Sequence, residues 1–391
     1  MNPKHQAKYA PLQTNYELGI KVLTPVHVGM GRERFWAKSV DYFHEKGKLL
    51  IVDQRKLYER LLEQPDNKGG NLLDTYMELL AKRNMNGIER MLQKEQIELS
   101  PISLYAFDYG TDSPAEIQPQ IRTGKGQLYL PGTSVKGAIR SAVFGYLYER
   151  LRIKGFHRET EKSLLGDFDR SIFRYIRPSD VIFKSSELID VFVLNLYREG
   201  ISWESDYKEA QHGDKSFKIT LEGLSVGSES SHPLRLSLST GFLNMMESLH
   251  PELLPTHLRK IIPQKDPLSL LFSLLNSHAR RHIRKELEFY QTYDQAEDVD
   301  RIIEELERIL ALAEEESGKC ILRLGWGSGF HAMTGDWRFE DHLSTIDHPD
   351  PENLRWDQRQ RRKTPTRYKS RRLAEAGAVF APMGFVELSL I

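Results

Sequence analysis

Three short segments of this 391-residue chain combine residue types that suit an anionic backbone. "TPVHVGMGRERF" sets His27, Gly29, Gly31 and Arg32 just after an apolar stretch. "LPGTSVKGAIRS" offers Gly132, Thr133, Ser134 and Lys136, with Arg140 one helical turn on. "RLGWGSGF" carries Arg323, Gly325, Trp326, Gly327, Ser328 and Gly329. Glycines let another backbone approach closely, and a helix N-terminus presents unsatisfied N–H groups and partial positive charge to phosphate. The G-x-G-x-G spacing of the third segment is neither the dinucleotide fingerprint nor a P-loop. On its own a structural turn fits each segment as well as a ligand loop, and an isolated histidine such as His27 is more often structural than catalytic.

Charge is segregated although the formal net charge is zero. From Arg355 to Arg372 the chain reads "RWDQRQRRKTPTRYKSRR", with Asp357 its only acid, and "ARRHIRK" (Ala279 to Lys285) is a second basic cluster. Acid gathers between Ala296 and Lys319. Such basic density attracts polyanions, and Trp356 and Tyr368 within the longer run can stack on bases. A solvated surface explains the run equally well.

Those residues need elements to hold them. "YELGIKVLT" alternates as a strand up to Pro25. "VDYF" and "KLLIVD" read as a hairpin, and Asp53 caps a helix over Gln54–Glu63. Helices are expected at Asn71–Ala81 and Ile88–Gln96. Another starts after Pro131-Gly132, capped by Thr133 or Ser134, with Lys136 and Arg140 on one side. Strands follow at "DVIF", "DVFVLNLY", "FKITLEGL" and "LRLSLS", then long helices from about Phe242 to Glu315, then "KCILRLG" and "AVFAPMGFVELSL". The mixture lacks regular βαβ alternation, so the fold class is α+β, with helices on one face of antiparallel sheets. The composition of Ser202–Ser216 suggests a boundary.

The bulk properties narrow the classes. With 39% hydrophobic and 28% charged residues the chain reads as a soluble globular protein. It has no apolar run of membrane-spanning length, and the absence of a signal-like N-terminus points to the cytoplasm. Cys320 is the only cysteine, which excludes an internal disulfide and any multi-cysteine metal site. No metal and no cofactor is expected.

Taken together, "LTPVHVGMG", "YLPGTSVKGAIRSAVFGYL", "LRLGWGSGF" and the late "KTPTRYKSRR…PMGFVELSL" resemble the RAMP proteins of type III CRISPR effector complexes. Within them the likeness is to the fifth-subunit family of the type III-A Csm complex. The segments Met91–Ala115 and Phe242–Glu316 carry no resemblance. The likeness implies two ferredoxin-like (RRM-like) domains, 1–210 and 211–391, the second with a helical insertion at about 242–316. It implies a non-catalytic subunit that caps the 3′-end side of the crRNA and supports crRNA maturation and antiviral interference. Its partners would be crRNA, the adjacent backbone RAMP subunit with other Csm subunits, and target RNA, with no membrane. All the residues named in the three segments become expected RNA contacts, joined by Arg367, Lys369 and Arg371.

Two rivals remain. A metal-independent repeat-processing endoribonuclease would use His27 as general acid or base, but no partner for it is evident. Asp41, Asp108, Asp112, Asp167, Asp169 and Asp336 match no cleavage motif. A general single-strand RNA-binding protein fits the basic–aromatic run but not the paired glycine segments.

Overall fold

The computed structural model describes residues 13–391 except 32–33, 67–68, 111–113, 154–157, 198–199, 204–216, 251–266, 293–297, 316–317, 330–331, 333–353, 358–361 and 366–370. The body is built, in chain order, from β1 (Gln13–Val22), α1 (Gly132–Arg150), β2 (Ile176–Pro178), β3 (Ser186–Tyr197), β4 (Lys218–Leu224) and β5 (Leu234–Ser239). There follow α2 (Pro267–Thr292), α3 (Val299–Glu314), β6 (Lys319–Arg323), β7 (Arg371–Ala376), β8 (Val379–Pro382) and β9 (Phe385–Leu390).

Alternation in β1 puts Leu18, Ile20 and Val22 on one face. That face belongs to a five-stranded sheet in the order β6-β9-β1-β5-β2, antiparallel throughout. Leu236, Leu238, Leu322 and Val386 join the same face and pack on Val135, Ile139 and Val143 of α1 and on Leu271 and Leu275 of α2. A second antiparallel sheet is centred on β3, with β4 and the strand Gly200–Trp203 along one edge and β7 then β8 on the other. Its Leu194, Leu373 and Phe380 meet Ile283 and Leu287 of α2 and Ile302, Leu306 and Ile309 of α3. The first half of α2 thus serves one core and the second half the other. At 26 residues it is about 39 Å long, enough to span both.

Both sheets draw strands from either side of residue 210, so the expected boundary at 210/211 separates neither of them. Most of the Ser202–Ser216 stretch lies outside the described residues.

Between β1 and α1 sits an inserted unit. Strands Tyr42–Glu45, Lys48–Val52 and Ser103–Asp108 form one sheet against helices Gln54–Leu62, Leu72–Ala81 and Met85–Lys94. Asp53 caps the first helix as expected, its carboxylate accepting from the N–H groups of Arg55 (3.1 Å) and Lys56 (3.4 Å). The expected cap of α1 is corrected. Its N-cap is Pro131, with no side-chain cap bond from Thr133 or Ser134. The carboxylate of Asp180 instead accepts from the Gly132 N–H at 2.7 Å.

Candidate nucleic-acid interface

The first and third glycine segments, from opposite ends of the chain, meet. Leaving β1, the chain pairs briefly with the start of β9, where Thr24 Oγ1 accepts from the Phe385 N–H at 3.0 Å. The Gly384 N–H donates to the Pro25 carbonyl (2.9 Å), the Leu324 N–H to the Gly384 carbonyl (2.8 Å), and the Trp326 N–H to the His27 carbonyl (2.7 Å).

This crossing explains part of the glycine density. Gly325 and Gly327 have φ of +85° and +83°. A Cβ on Gly325 would lie 2.6 Å from the His27 carbonyl oxygen, and one on Gly327 would lie 2.4 Å from Met383 Sδ. At these two positions the group that approaches closely is the protein's own, a backbone carbonyl at Gly325 and the Met383 side chain at Gly327. Gly31 (φ +118°) and Gly329 (φ +86°) differ, because a Cβ there would meet nothing within 4 Å. Those two remain open to a ligand.

His27 is 1% exposed. Its Nδ1 lies 2.6 Å from the Glu222 carbonyl oxygen, which only accepts, so Nδ1 carries the proton and Nε2 is an acceptor. Among the described residues Nε2 has no hydrogen-bond partner, and it lies beneath Gly29, whose Cβ would stand 3.0 Å from it. Burial pulls the imidazole pKa down to about 4, against the opposing carbonyl bond. His27 is therefore neutral at pH 7 and is no general acid there.

The indole of Trp326 packs with Ile189, Val191, Leu221 and Met383. The His27 ring meets it edge-on with centroids 6.0 Å apart, and the Arg372 guanidinium lies 4.7 Å from its centroid. Such a cation–π contact is worth about 0.5–2 kcal/mol, depending on desolvation.

The second segment joins at one remove through Gln120, which sequence reading missed. Fully buried, it accepts from the Val28 N–H through Oε1 (2.8 Å) and donates through Nε2 to the Tyr129 carbonyl (3.2 Å), just before α1. Glu222, equally buried, accepts from the Gln120 N–H (3.0 Å), Ser186 Oγ (2.6 Å) and the Arg122 guanidinium. Burial raises its carboxyl pKa, with Arg122 opposing most strongly. The visible signal was the single acid of "KITLEGL"; its partners, far off in sequence, were not visible.

On α1, burial and the neighbouring Arg177 lower the Lys136 pKa. That pair of like charges forms an electropositive spot at the helix start. Arg140 is half-exposed and ion-paired with Glu161. Thr133 is exposed and Ser134 partly so.

Three expected contacts are corrected because their side chains turn inward. Arg371 is 6% exposed, donating through Nε to Glu286 Oε2 at 3.0 Å and lying over the Phe289 ring. Arg323 donates to the Met383 carbonyl (3.0 Å) and to His282 Nε2 (2.8 Å). Burial alone would raise the Glu286 carboxyl, but Arg371, His282 and Arg323 together hold it below the usual range. A buried carboxylate needs such countercharge. Ser328, 1% exposed, closes its own loop by donating to the Gly325 carbonyl at 2.7 Å. Gly132 is also enclosed, since its Cβ would fall 2.5 Å from the Pro178 carbonyl oxygen. Arg32, Arg367 and Lys369 lie outside the described residues, as does half of the Arg355–Arg372 run. Of that run the backbone shows a hairpin of Leu354–Asp357 with Arg362–Pro365.

Residues 19–331, which contain all three glycine segments, match the RAMP superfamily. The chain belongs to the RAMP superfamily. This RAMP chain is 29% identical over 193 residues to "CRISPR system Cms protein Csm5" of Methanocaldococcus jannaschii, covering 42% of each chain. It is 28% identical over 138 residues to the Streptococcus thermophilus protein of the same name, covering 32% of this chain and 37% of that one. The matches thus span about two fifths of the length of these curated relatives. Its fold is shared with a chain in a cryo-EM structure of a Csm–crRNA–target RNA ternary complex of a type III-A CRISPR–Cas system. That likeness has a TM-score of 0.61 and 20% identity over 96% of this chain and 100% of that one. The crystal structure of T. onnurineus Csm5 gives a TM-score of 0.58 and 18% identity over 94% and 99%. Among the described residues no helix is long and apolar enough to cross a membrane, and no group of three metal-ligating side chains occurs.

Proposed function

We propose that this chain is the crRNA-binding fifth-type subunit of a type III-A CRISPR ribonucleoprotein, holding the 3′-end side of the guide against its glycine segments. The observation that carries this reading is the meeting of the first and third glycine segments at the Trp326–His27 contact, with the Arg372 guanidinium over the indole and with Gly31 and Gly329, each next in its own segment, unobstructed. The curated relatives named Csm5 support the identity of the complex. Its partners are then crRNA, the adjoining RAMP subunit and target RNA, in the cytoplasm of a prokaryote. The strand order β9-β1-β5-β2, with α1 crossing from β1 to β2, supports a ferredoxin-like unit assembled from both halves of the chain. The second sheet with α3 is its companion.

Contacts of this kind position phosphates without reading sequence. A neutral His27 that is 1% exposed and tied to the Glu222 carbonyl suits a role in holding the junction better than proton transfer. The test is purification of the tagged chain from its own host. The expected product is a multisubunit ribonucleoprotein with RNA of discrete length, whose 3′ ends change when the chain is deleted. A chain recovered alone, or one that cleaves repeat RNA in EDTA dependent on His27, overturns the reading.

A further inference from the structure

A cavity of about 520 Å³ lies between the inserted sheet and the body, lined among others by Tyr105, Arg122, Lys184, Ser186, Ser231 and His232. The volume falls within the roughly 300–1,000 Å³ typical of small-ligand sites. Lys184 and His232 are exposed at its margin. No carboxylate lines it, so its charged lining groups are basic. Two of its polar atoms, Arg122 Nε and Ser231 Oγ, are buried without a hydrogen-bond partner among the described residues. Buried donors are normally satisfied, and an orphan that lines a cavity suits a ligand acceptor. The Arg122 guanidinium itself lies 3.8 Å from the Tyr105 ring centroid, its far side anchored by Glu222.

The position is as informative as the chemistry. The Ile121 N–H donates to the Val28 carbonyl at 2.8 Å, and Gly29 bridges to Gln120. Arg122 is the next residue. The cavity therefore begins where the pairing of the first glycine segment ends, on a continuous path from Gly29.

We propose that this cavity is a second RNA-contact site, taking one unstacked nucleotide of the single strand that crosses the glycine segments. The inference rests on the RNA-binding reading above. Lys184 and His232, exposed at the margin, take the phosphate, while rotation of the Arg122 and Ser231 side chains turns their unpaired, presently buried donors to the base edge, the mode by which single-stranded RNA bases are held.

The test measures binding of a fluorescein-labelled 12-nucleotide single-stranded RNA to the full chain across a salt series. The variants are Lys184→Ala, Ser185→Trp and, at the glycine junction, Arg372→Ala, with thermal midpoints recorded for each. Ser185 is exposed and lines the cavity, so tryptophan there obstructs it without entering the core. Ser185→Trp is expected to weaken binding about tenfold, the scale of one lost base contact. Lys184→Ala should lower the log–log salt slope by about 0.7. Wild-type affinity and slope in both cavity variants, with loss in Arg372→Ala, overturns the cavity site and leaves the function intact. Cavity variants that bind RNA normally but fail to retain a protein subunit overturn it also, in favour of a protein contact. No RNA binding by the wild-type chain overturns both.

Discussion

The Trp326 N–H donates to the His27 carbonyl at 2.7 Å while the two rings meet edge-on. One peptide contact and one ring contact thereby fasten the two most distant glycine segments together. The geometry separates glycines that serve this clasp from glycines with open space around them, and that separation is measurable.

Gly325→Ala should cost about 2 kcal/mol or more, because φ is +85° and the Cβ meets the His27 carbonyl oxygen. Gly329→Ala shares the positive φ but meets nothing, so only the backbone penalty of about 1–2 kcal/mol applies. Denaturant titration of both variants checks this, and equal losses would contradict the close approach.

Stability should depend on pH through His27. Its folded pKa of about 4 lies below the ordinary 6.5, so the unfolded chain binds the proton first. The contribution is complete above pH 6.5 and disappears as pH falls toward 4, amounting to about 3 kcal/mol. His27→Gln should flatten that part of the stability profile. An unchanged slope between pH 6.5 and 4 would show that another group titrates.

Lys136→Ala should reduce RNA affinity and lower the log–log salt slope by about 0.7. Arg140→Ala should do less, since Glu161 already engages that guanidinium. Equal slopes for wild type and Lys136→Ala across a salt titration would remove the start of α1 from the interface.

Glu286→Gln should destabilise the chain by about 3–5 kcal/mol, because it leaves Arg371 and Arg323 buried without their countercharge. The paired change Glu286→Met with Arg371→Met should recover much of that loss, since replacing a buried ion pair by apolar groups is often neutral. Calorimetric midpoints of the two variants decide it. A single variant as stable as wild type would mean that the pair carries no structural role.

The glycine segments, the Asp53 cap and the start of α1 were legible because each is a local pattern of residue types. The inward turn of Arg323 and Arg371 was not. A basic residue beside an aromatic looks the same in sequence whether its partner is a phosphate or a buried side chain far along the chain, Glu286 for Arg371 at 85 residues and His282 for Arg323 at 41. Gly327 and Ser328 are enclosed for a related reason: Met383 and Gly384, which crowd them, lead into β9, a neighbouring strand some 55 residues on in sequence. Gln120 and Glu222 escaped notice because a single buried polar residue has no period. The boundary near 210 was read from composition, which does not reveal that both sheets draw strands from either side of it.

The pairing of β1 has a consequence for how the protein is made. β1 lies between β5 and β9, and β9 comprises Phe385–Leu390. At about 5–20 residues per second, a ribosome delivers β9 on the order of ten seconds or more after β5. Throughout that interval one edge of β1 has no strand to bond, and such an edge is a template for foreign strands. A chain interrupted before β9 would also lack the Gly384 and Phe385 contacts that clasp the glycine segments. The junction of the glycine segments therefore stays unfinished until Gly384 and Phe385 have been made, and a chain truncated before them keeps an open edge on β1.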